Sequence, residues 1–256
     1  MALITLSTDF GTKDGYVGAM KGRILSIHSE AQLVDITHDI APQNTTEAAW
    51  CIRRSVPQFP DGTIHVAVVD PGVGSDRKPL LVYADNQWLI GPDNGIFSLL
   101  LNRIDPVAIY HLNSKTEWWD AHQSFDGLAL FAPAAACLAN GIRPMEMGHP
   151  ATTIRELDIP HPTFDECHAT GEILHFDQFG NAISNIRQKD IMELPNETFT
   201  IECGTHQFPL VHHYSAVREG ERLAILNSDG LLELSVCGGS AEHSLQLNRG
   251  IQVVLS

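Results

Sequence analysis

The sequence lacks the runs of lysine and arginine with which nucleic-acid-binding proteins contact phosphates. It holds 16 Lys and Arg against 31 Asp and Glu, which gives a formal charge of −15 at pH 7 with histidine neutral. Because phosphate contacts require clustered cations, we expect no nucleic-acid partner. The acidic surface would also be repelled by anionic lipids, so we expect no membrane partner.

Long apolar runs and disulfide patterns are missing as well. No stretch is apolar over the roughly 20 residues that a membrane-spanning helix requires. The N-terminal segment MALITLSTDFGTKDG has neither the basic start nor the small-residue cleavage site of a secretory signal. The five cysteines are scattered and have no CxxC spacing, which predicts reduced thiols rather than a disulfide framework. We therefore expect a cytoplasmic protein.

Several motifs that would identify a cofactor or a catalytic apparatus are also absent. The sequence contains no GxxxxGK[ST] phosphate loop, no GxGxxG after the first strand, no HExxH and no GxSxG. His212 and His213 are adjacent, so on a strand they would point to opposite faces and form a poor metal pair. No other histidine spacing predicts a metal site.

Strand-like and helix-like segments alternate over residues 1–152. Segments typical of buried strands, such as ALITLST and TIHVAVV, alternate with segments of helical spacing, such as GYVGAMKGRILSIHSEA. This rhythm predicts an α/β N-terminal domain with a mostly parallel central sheet. A hairpin is predicted to turn at Asp85 and Asn86, and Thr45 or Thr46 is predicted to cap the second helix.

The pattern changes in the second part of the chain. Residues 153–167 are rich in proline and have no periodic apolar face, which is typical of a linker. Short alternating strands separated by turns fill residues 168–256. They predict an all-β C-terminal domain, a small barrel or sandwich.

Acidic, glycine-rich segments follow several of the predicted strands. Asp9 and Asp70 each end a strand of the N-terminal domain, at the edge where ligands of parallel sheets bind. The alternative is that Asp merely suits the turn after a strand. GPDNG, FDQFGN and NSDG extend the pattern. Carboxylates and amides with few cations favour a ligand with diols, amines or a positive charge over a phosphate.

Together these segments resemble one known family, the adenosine-forming S-adenosylmethionine hydrolases, in the same superfamily as the fluorinases and chlorinases. The resemblance covers nearly the whole chain. The motifs that carry it, in the family's order, are TDFGTKDGYVGAMKG, VVDPGVGSDR, GPDNG, FAPAAA, FDQFGN and NSDGLLELSV.

The resemblance implies a fold and a reaction. The fold would be an N-terminal α/β domain followed by a C-terminal β-barrel. The family assembles as a homotrimer, with each active site between the N-terminal domain of one subunit and the C-terminal domain of the next. Water or hydroxide attacks C5′ of the ribose of S-adenosyl-L-methionine and releases adenosine and L-methionine. No metal or organic cofactor takes part.

The resemblance also implies a catalytic pair. Asp70 and Arg77 would hold and polarise the attacking water between a carboxylate and a guanidinium; the alternative is a structural ion pair across a turn. Asp9, in TDFG, matches the residue that accepts both ribose hydroxyls. The halogenating relatives carry Tyr at the position of Asp70, and a carboxylate there would repel a halide in a dry pocket. Asp70 therefore favours hydrolysis.

The remaining implied residues are substrate contacts. Tyr214 would stack on the adenine, or pack at a subunit interface as a rim aromatic. Asp177 would bind the methionine ammonium and Phe125 would wall the reaction chamber. Asn181 would recognise the adenine and Ser228 the methionine carboxylate, although both residues also suit turns. The predicted substrate-binding set is Asp9, Phe125, Asp177, Phe179, Asn181, Tyr214 and Ser228.

One position departs from the family pattern. The hydrolases usually read FHGRD where this chain reads FDGLA, so Asp126 stands in place of a catalytic histidine, and Leu128 and Ala129 replace a charged pair. On composition alone, an Asp before Gly is typical of a helix N-cap. A carboxylate is a weaker base than imidazole, yet it could still accept the hydrogen bond or the proton of the water.

Three alternatives follow from this departure. Asp126 substitutes for the histidine, or His122 takes over its role, or the protein binds its nucleoside with little turnover. The predicted function is hydrolysis of S-adenosyl-L-methionine with Asp70, Arg77 and Asp126 as catalytic residues. The alternatives are a low-activity protein that binds S-adenosylmethionine or adenosine, and a hydrolase of a related 5′-substituted adenosine.

Overall fold

The computed structural model describes residues 2–119, 124–165, 168–195 and 199–256. The chain divides into two compact units, Met1–Leu157 and Asp158–Ser256. Residues 153–157 of the predicted linker thus belong to the first unit, where the Leu157 amide donates to Ser98 Oγ at 2.8 Å. Thr163–Phe164, also within the predicted linker, pair with a strand of the second unit.

The first unit is built on a seven-stranded sheet. Its strands are β1 (Leu3–Thr8), β2 (Gln32–Thr37), β3 (Ile64–Val68), β4 (Pro79–Ala84), β5 (Gln87–Pro92), β6 (Pro106–Leu112) and β7 (Gly148–Ala151). Its helices are α1 (Tyr16–Ile27), α2 (Thr45–Ser55), α3 (Ser98–Leu101), α4 (Ala132–Ala139) and α5 (Pro144–Met147). A 3-10 turn (Val56–Gln58) follows α2, and a π-helical segment (Gly127–Phe131) precedes α4.

The sheet is mixed, with a parallel half and an antiparallel half. The strand order is β2-β1-β3-β5-β4-β6-β7. Pairing is parallel from β2 to β5 and antiparallel from β5 to β7. The change of direction occurs at the predicted β4–β5 hairpin, whose turn residues Asp85 and Asn86 have φ values of +46° and +58°. Two consecutive residues of positive φ match the right-handed twist of the flanking strands.

Both faces of this sheet are covered, as expected for parallel strands. On one face, Met20 of α1 and Phe131 pack against β1 and β3. On the other, Ile52 of α2 packs with Phe97 beside α3. The predicted cap of α2 was wrong by one residue, because Asn44 rather than Thr45 or Thr46 accepts the Glu47 amide at 3.1 Å.

The second unit is an antiparallel, nearly closed sheet. Its strands are β8 (Thr163–Phe164), β9 (Ala169–Phe176), β10 (Ala182–Arg187), β11 (Thr200–Cys203), β12 (His206–Pro209), β13 (Arg222–Leu226), β14 (Leu231–Val236) and β15 (Gln252–Leu255). Short helices α6 (Gln188–Met192) and α7 (Ala241–Ser244) and a 3-10 turn (Tyr214–Ala216) complete it. The strand order is β12-β11-β15-β9-β10-β14-β13. A bridge from Leu210 to Ala224 draws the two edges together, and an apolar cluster of described residues fills the interior.

Candidate active site

The first unit contains a cavity beyond the ends of β1 and β3. These strands are parallel neighbours that end at Thr8 and Val68, which pair with each other, so the segments that follow them lie side by side. The cavity has a volume of about 420 Å³. Its lining includes Asp9, Phe10, Tyr16, Asp70, Phe125 and Asp126. Four residues predicted from the sequence therefore share one cavity.

Arg77 links two carboxylates at this cavity. Its Nε donates to Asp70 Oδ1 at 3.0 Å, and its Nη2 donates to Asp70 Oδ2 and to Asp126 Oδ2. The side chains of Asp70, Arg77 and Asp126 are only 6%, 6% and 9% exposed. The bond to Asp126 spans 49 residues of sequence, so Arg77 does more than close a local turn.

The charge of Arg77 is secured by its partners. Burial alone would lower the pKa of the guanidinium, but the hydrogen bonds and negative charges of Asp70 and Asp126 raise it above its ordinary value. The guanidinium carbon also lies 5.5 Å from the centroid of the Phe131 ring, a favourable cation–π position. The cation is therefore fixed between two carboxylates and an aromatic face.

Asp126 occupies the N-cap position of the π-helical segment, yet its side chain accepts no capping hydrogen bond. Its carboxylate turns to Arg77 instead. The other oxygen, Oδ1, is buried and has no hydrogen-bond partner within the described ranges. A buried acceptor beside a cavity can take a hydrogen bond from a bound molecule. His122, the predicted alternative to Asp126, lies outside the described residues.

Gly127 allows the cavity wall to close next to Asp126. A Cβ at this position would lie 2.6 Å from the Phe125 ring and 3.3 Å from the Phe10 ring. The rings of Phe10 and Phe125 meet edge to face with centroids 5.2 Å apart, and Tyr16 meets Phe125 at 5.2 Å. Sequence reasoning named Phe125 but missed Phe10 and Tyr16, although Phe10 directly follows Asp9.

Asp9 is held at the cavity by a backbone donor. The amide of Gln43 donates to Asp9 Oδ2 at 2.8 Å, and Gln43 has a φ of +64°. Left-handed backbone at a non-glycine residue costs about 1–3 kcal/mol. Gln43 itself lines the cavity, so we attribute this backbone conformation to the orientation of the Asp9 carboxylate.

The GPDNG segment supports the site without lining it. Asn94 Nδ2 donates to the carbonyl of Val69 at 2.8 Å, one residue before Asp70. Asp93 accepts the amide of Arg155 at 2.7 Å. The first bond fastens the end of β3 to the GPDNG segment, and the second fastens that segment to the chain after β7.

The second unit has a cavity of its own, of about 520 Å³. The side chains of Phe179, Asn181 and Tyr214 line it, with Val236, Gly238 and Gly239. Phe179 is 77% and Tyr214 40% exposed, and exposed aromatic side chains that share one cavity are typical of a binding surface. Three of the predicted substrate-binding residues therefore meet here.

Asp177 organises the loop that carries two of these residues. Its Oδ1 accepts the amides of Phe179 and Asn181, each at 2.9 Å, and its Oδ2 accepts Asn181 Nδ2 at 2.9 Å. Gly180 makes the loop possible, because its φ is +79° and a Cβ would lie 2.0 Å from Ser240 Oγ. Ser228 is exposed in the turn before β14 and does not line this cavity, so its role stays a prediction.

Sequence reasoning missed a buried glutamate behind Tyr214. The Tyr214 hydroxyl donates to Glu233 Oε1, and Glu233 is only 5% exposed. Burial and this hydrogen bond raise the pKa of Tyr214 well above its ordinary value. Glu233 lies inside the NSDGLLELSV motif, but an alternating strand gives a single Glu no signal of burial.

Other chemistries find no support in the described part of the chain. No cluster of three or more His, Cys, Asp or Glu side chains there could hold a metal ion. The cysteines described are free thiols. Burial raises the pKa of Cys137 and of Cys203 to about 11, so neither is a thiolate nucleophile at neutral pH. None of the helices in those ranges combines the length and the apolar character needed to cross a membrane.

Comparison with the sequences of known proteins finds relatives over nearly the full length of the chain. The chain is 35% identical to a Thermus thermophilus protein named (R)-S-adenosyl-L-methionine hydrolase, over 97% of each chain. A protein of the same name from Methanocaldococcus jannaschii is 32% identical, over 96% of this chain and 92% of the relative. A fluorinase of an Actinoplanes species is 24% identical, over 99% of this chain and 97% of the relative.

Comparison with solved structures and with protein-family models gives the same result as the sequence relatives. An uncharacterized conserved protein from Thermotoga maritima has a crystal structure that superposes with a TM-score of 0.89 at 29% identity. That alignment covers 99% of this chain and 100% of the other. The family model for the SAM hydroxide adenosyltransferase N-terminal domain matches residues 4–148, and the C-terminal domain model matches residues 171–254. The chain belongs to the SAM hydroxide adenosyltransferase family.

Proposed function

We propose that this protein hydrolyses S-adenosyl-L-methionine to adenosine and L-methionine. Water attacks C5′ of the ribose, the bond from C5′ to the sulfonium sulfur breaks, and its electron pair leaves with sulfur as a neutral thioether. One proton of the water is released. Because the cationic sulfonium becomes neutral, the leaving group needs no acid catalyst.

The observation that carries the proposal is the buried Asp70–Arg77–Asp126 cluster at a cavity. With both carboxyl groups ionised the cluster has a net charge of −1, which complements the positive sulfonium and disfavours a halide nucleophile. Water can be held by the cluster in line with the C–S bond, which supplies much of the rate enhancement of such a displacement. Asp126 Oδ1 is a buried acceptor without a partner among the described residues, so we assign it the water's hydrogen bond.

The substrate contacts are divided between the two cavities. We assign the ribose hydroxyls to Asp9 and the adenine to the cavity of Asn181 and Tyr214. We further propose a homotrimer in which the first cavity of one subunit meets the second cavity of a neighbour. The exposed aromatics at both cavities, Tyr16 and Phe179 among them, support such an interface. A monomer in light scattering would contradict this part of the proposal.

No cofactor is needed for this chemistry, since the leaving group is already activated. We therefore propose a reaction without metal or organic cofactor. We also propose that it takes place in the cytoplasm. Dialysis against EDTA is expected to leave the rate unchanged, whereas a loss restored by one added metal would contradict the expectation.

The hydrolysis itself is tested by product analysis. The relatives are named (R)-S-adenosyl-L-methionine hydrolase. Since L denotes the configuration of the methionine α-carbon, (R) denotes the configuration at the sulfonium sulfur. The two sulfonium epimers should therefore be supplied separately. We expect adenosine and methionine in equal amounts, with the (R) epimer preferred. Asp70→Asn removes the charge at constant shape and should abolish turnover, whereas Asp61→Asn, at an exposed site, should not. Equal rates for the two variants would contradict the role of Asp70.

Two other functions remain as alternatives, a binding protein with little turnover and a hydrolase of a related 5′-substituted adenosine. Both are favoured by one observation, Asp126 in place of the family's histidine. The rate of an Asp126→His variant with S-adenosyl-L-methionine distinguishes the binding protein from the proposed hydrolase. A large gain in rate would indicate that the natural residue limits catalysis and would favour the binding protein. A loss of rate would indicate a site adapted to the carboxylate.

A further inference from the structure

Glu233 is a buried carboxylate that the proposed reaction does not use. It lies in the middle of β14 and is 5% exposed. Among the described residues three donors reach it, namely the Tyr214 hydroxyl, Ser235 Oγ at 3.0 Å and Asn227 Nδ2 at 3.2 Å. A buried carboxylate without a cation is costly unless it is well hydrogen-bonded. These hydrogen bonds stabilise the Glu233 carboxylate and in turn orient the groups that donate to it.

The carboxylate determines the direction of the Tyr214 hydroxyl. An ionised carboxylate only accepts hydrogen bonds, so the Tyr214 O–H points to Glu233. The raised pKa of Tyr214 keeps this proton in place at neutral pH. The lone pairs of the Tyr214 oxygen then remain for another donor, and Asn181 Nδ2 lies 3.4 Å away.

The far side of Asn181 meets a second carboxylate. Asn181 Nδ2 also donates to Asp177 Oδ2 at 2.9 Å, so both amide hydrogens have acceptors. The amide oxygen, Oδ1, has no partner within the described ranges, and Asn181 lines the second cavity. The network thus determines which end of the amide is oxygen, and it leaves an acceptor for a ligand.

We propose that Glu233 is a positioning residue that acts through Tyr214 to hold the Asn181 carboxamide with its oxygen available to the ligand. The second cavity then selects a 6-aminopurine nucleoside over a 6-oxopurine nucleoside. A 6-amino group donates to this oxygen, whereas a 6-oxo group would place two acceptors against each other. The inference rests on the proposed function only in taking a purine nucleoside as the occupant.

The selectivity can be measured directly by calorimetric binding of adenosine and inosine to the full chain. We expect the wild-type protein to prefer adenosine and Glu233→Gln to reduce that preference about tenfold, the equivalent of one hydrogen bond. Glutamine can donate as well as accept, so the Tyr214 hydroxyl can reverse. Tyr214→Phe should reduce the preference similarly while it keeps the ring.

The double variant tests whether Glu233 acts through Tyr214. Glu233→Gln in the Tyr214→Phe background should cause no further loss, whereas additive losses would overturn the proposed route. Ser184→Ala is the control for general destabilisation, because Ser184 is buried in the same barrel and bonds to the Leu232 carbonyl, outside this network. It should lower the melting temperature and leave the preference unchanged.

Two other outcomes overturn the inference. One is a wild-type protein that binds adenosine and inosine equally, and the other is a Glu233→Gln variant that behaves like the Ser184→Ala control. Hydrolysis of S-adenosyl-L-methionine, measured on the same samples, separates the two proposals. Selective nucleoside binding without hydrolysis would refute the proposed function alone, and hydrolysis without nucleoside selectivity would refute the inference alone.

Discussion

The two cavities of this protein use carboxylates in opposite ways. In the first unit, Asp70 and Asp126 share the guanidinium of Arg77, a cation secured by charge. In the second unit, Asp177 and Glu233 stand at the ends of a chain of neutral groups, Asn181 and Tyr214. The first arrangement suits chemistry at a positive centre, and the second suits recognition of a neutral polar ring. Changes in the first should therefore reduce turnover, and changes in the second should reduce binding.

The largest effect is expected from Arg77→Met. This change leaves two buried carboxylates without their cation, which typically costs about 3–5 kcal/mol of stability. We also expect turnover to fall by about 10²–10³-fold, as for loss of a charged group that holds the reacting atoms. Single-turnover rates and denaturant melts of the same sample would measure both.

Arg77→Lys is the informative control. A lysine keeps the charge but cannot donate to Asp70 and Asp126 through a planar fork. Compared with Arg77→Met, the Arg77→Lys variant should restore more of the lost stability than of the lost turnover. Full recovery of turnover by lysine would contradict the bridging role that distinguishes the first cavity from the second.

Acid is expected to lower the free energy of unfolding of the first unit, because that unit contains a buried histidine. In β3, His65 is bonded to Thr5 Oγ1 and Gln87, and burial lowers its pKa to about 4 from an ordinary 6.5. Between these values the unfolded chain binds a proton that the folded chain does not. The free energy of unfolding should thus fall by about 3 kcal/mol as the pH drops from 6.5 to 4.

The measurement is urea unfolding followed by tryptophan fluorescence. All four tryptophans lie in the first unit, at positions 50, 88, 118 and 119, so the signal reports that unit. His65→Gln should flatten the pH dependence below 6.5. An equally steep loss in this variant would assign the acid sensitivity to other groups.

A smaller effect is expected in the second cavity. Tyr214→Leu removes the ring and its hydroxyl, and loss of one stacked base contact costs about 1–3 kcal/mol. We expect KM to rise about tenfold with kcat nearly unchanged. Steady-state kinetics beside Tyr214→Phe would test this, and a fall in kcat without a change in KM would remove the contrast between the cavities.

Much of the fold was predictable because it follows from local patterns. The strand and helix alternation gave the parallel half of the first sheet, and Asp85-Asn86 gave the hairpin where the pairing turns antiparallel. The cap of α2 was misplaced because Asn44, Thr45 and Thr46 are all capping residues, and backbone angles alone decide among them.

The convergence of Asp70, Arg77 and Asp126 was predictable from the family's motifs, even though the contact between Arg77 and Asp126 spans 49 residues. Residues whose position depends on long-range packing were missed, even where they lie inside those motifs. Glu233 was missed because an acidic residue in an alternating strand is typical of a solvent-facing position, and only the nearly closed sheet of the second unit buries it. Phe10 and Tyr16 converge with Phe125 only through the folded loops.

In the proposed reaction, water held beside Asp70, Arg77 and Asp126 attacks the ribose carbon C5′ of the substrate. Turnover in water labelled with oxygen-18, followed by mass spectrometry of both products, tests it most directly. We expect one heavy oxygen in the 5′-hydroxyl of adenosine, none in methionine, and no labelled adenosine from Asp70→Asn. Unlabelled adenosine, or label in the amino acid product, would contradict it.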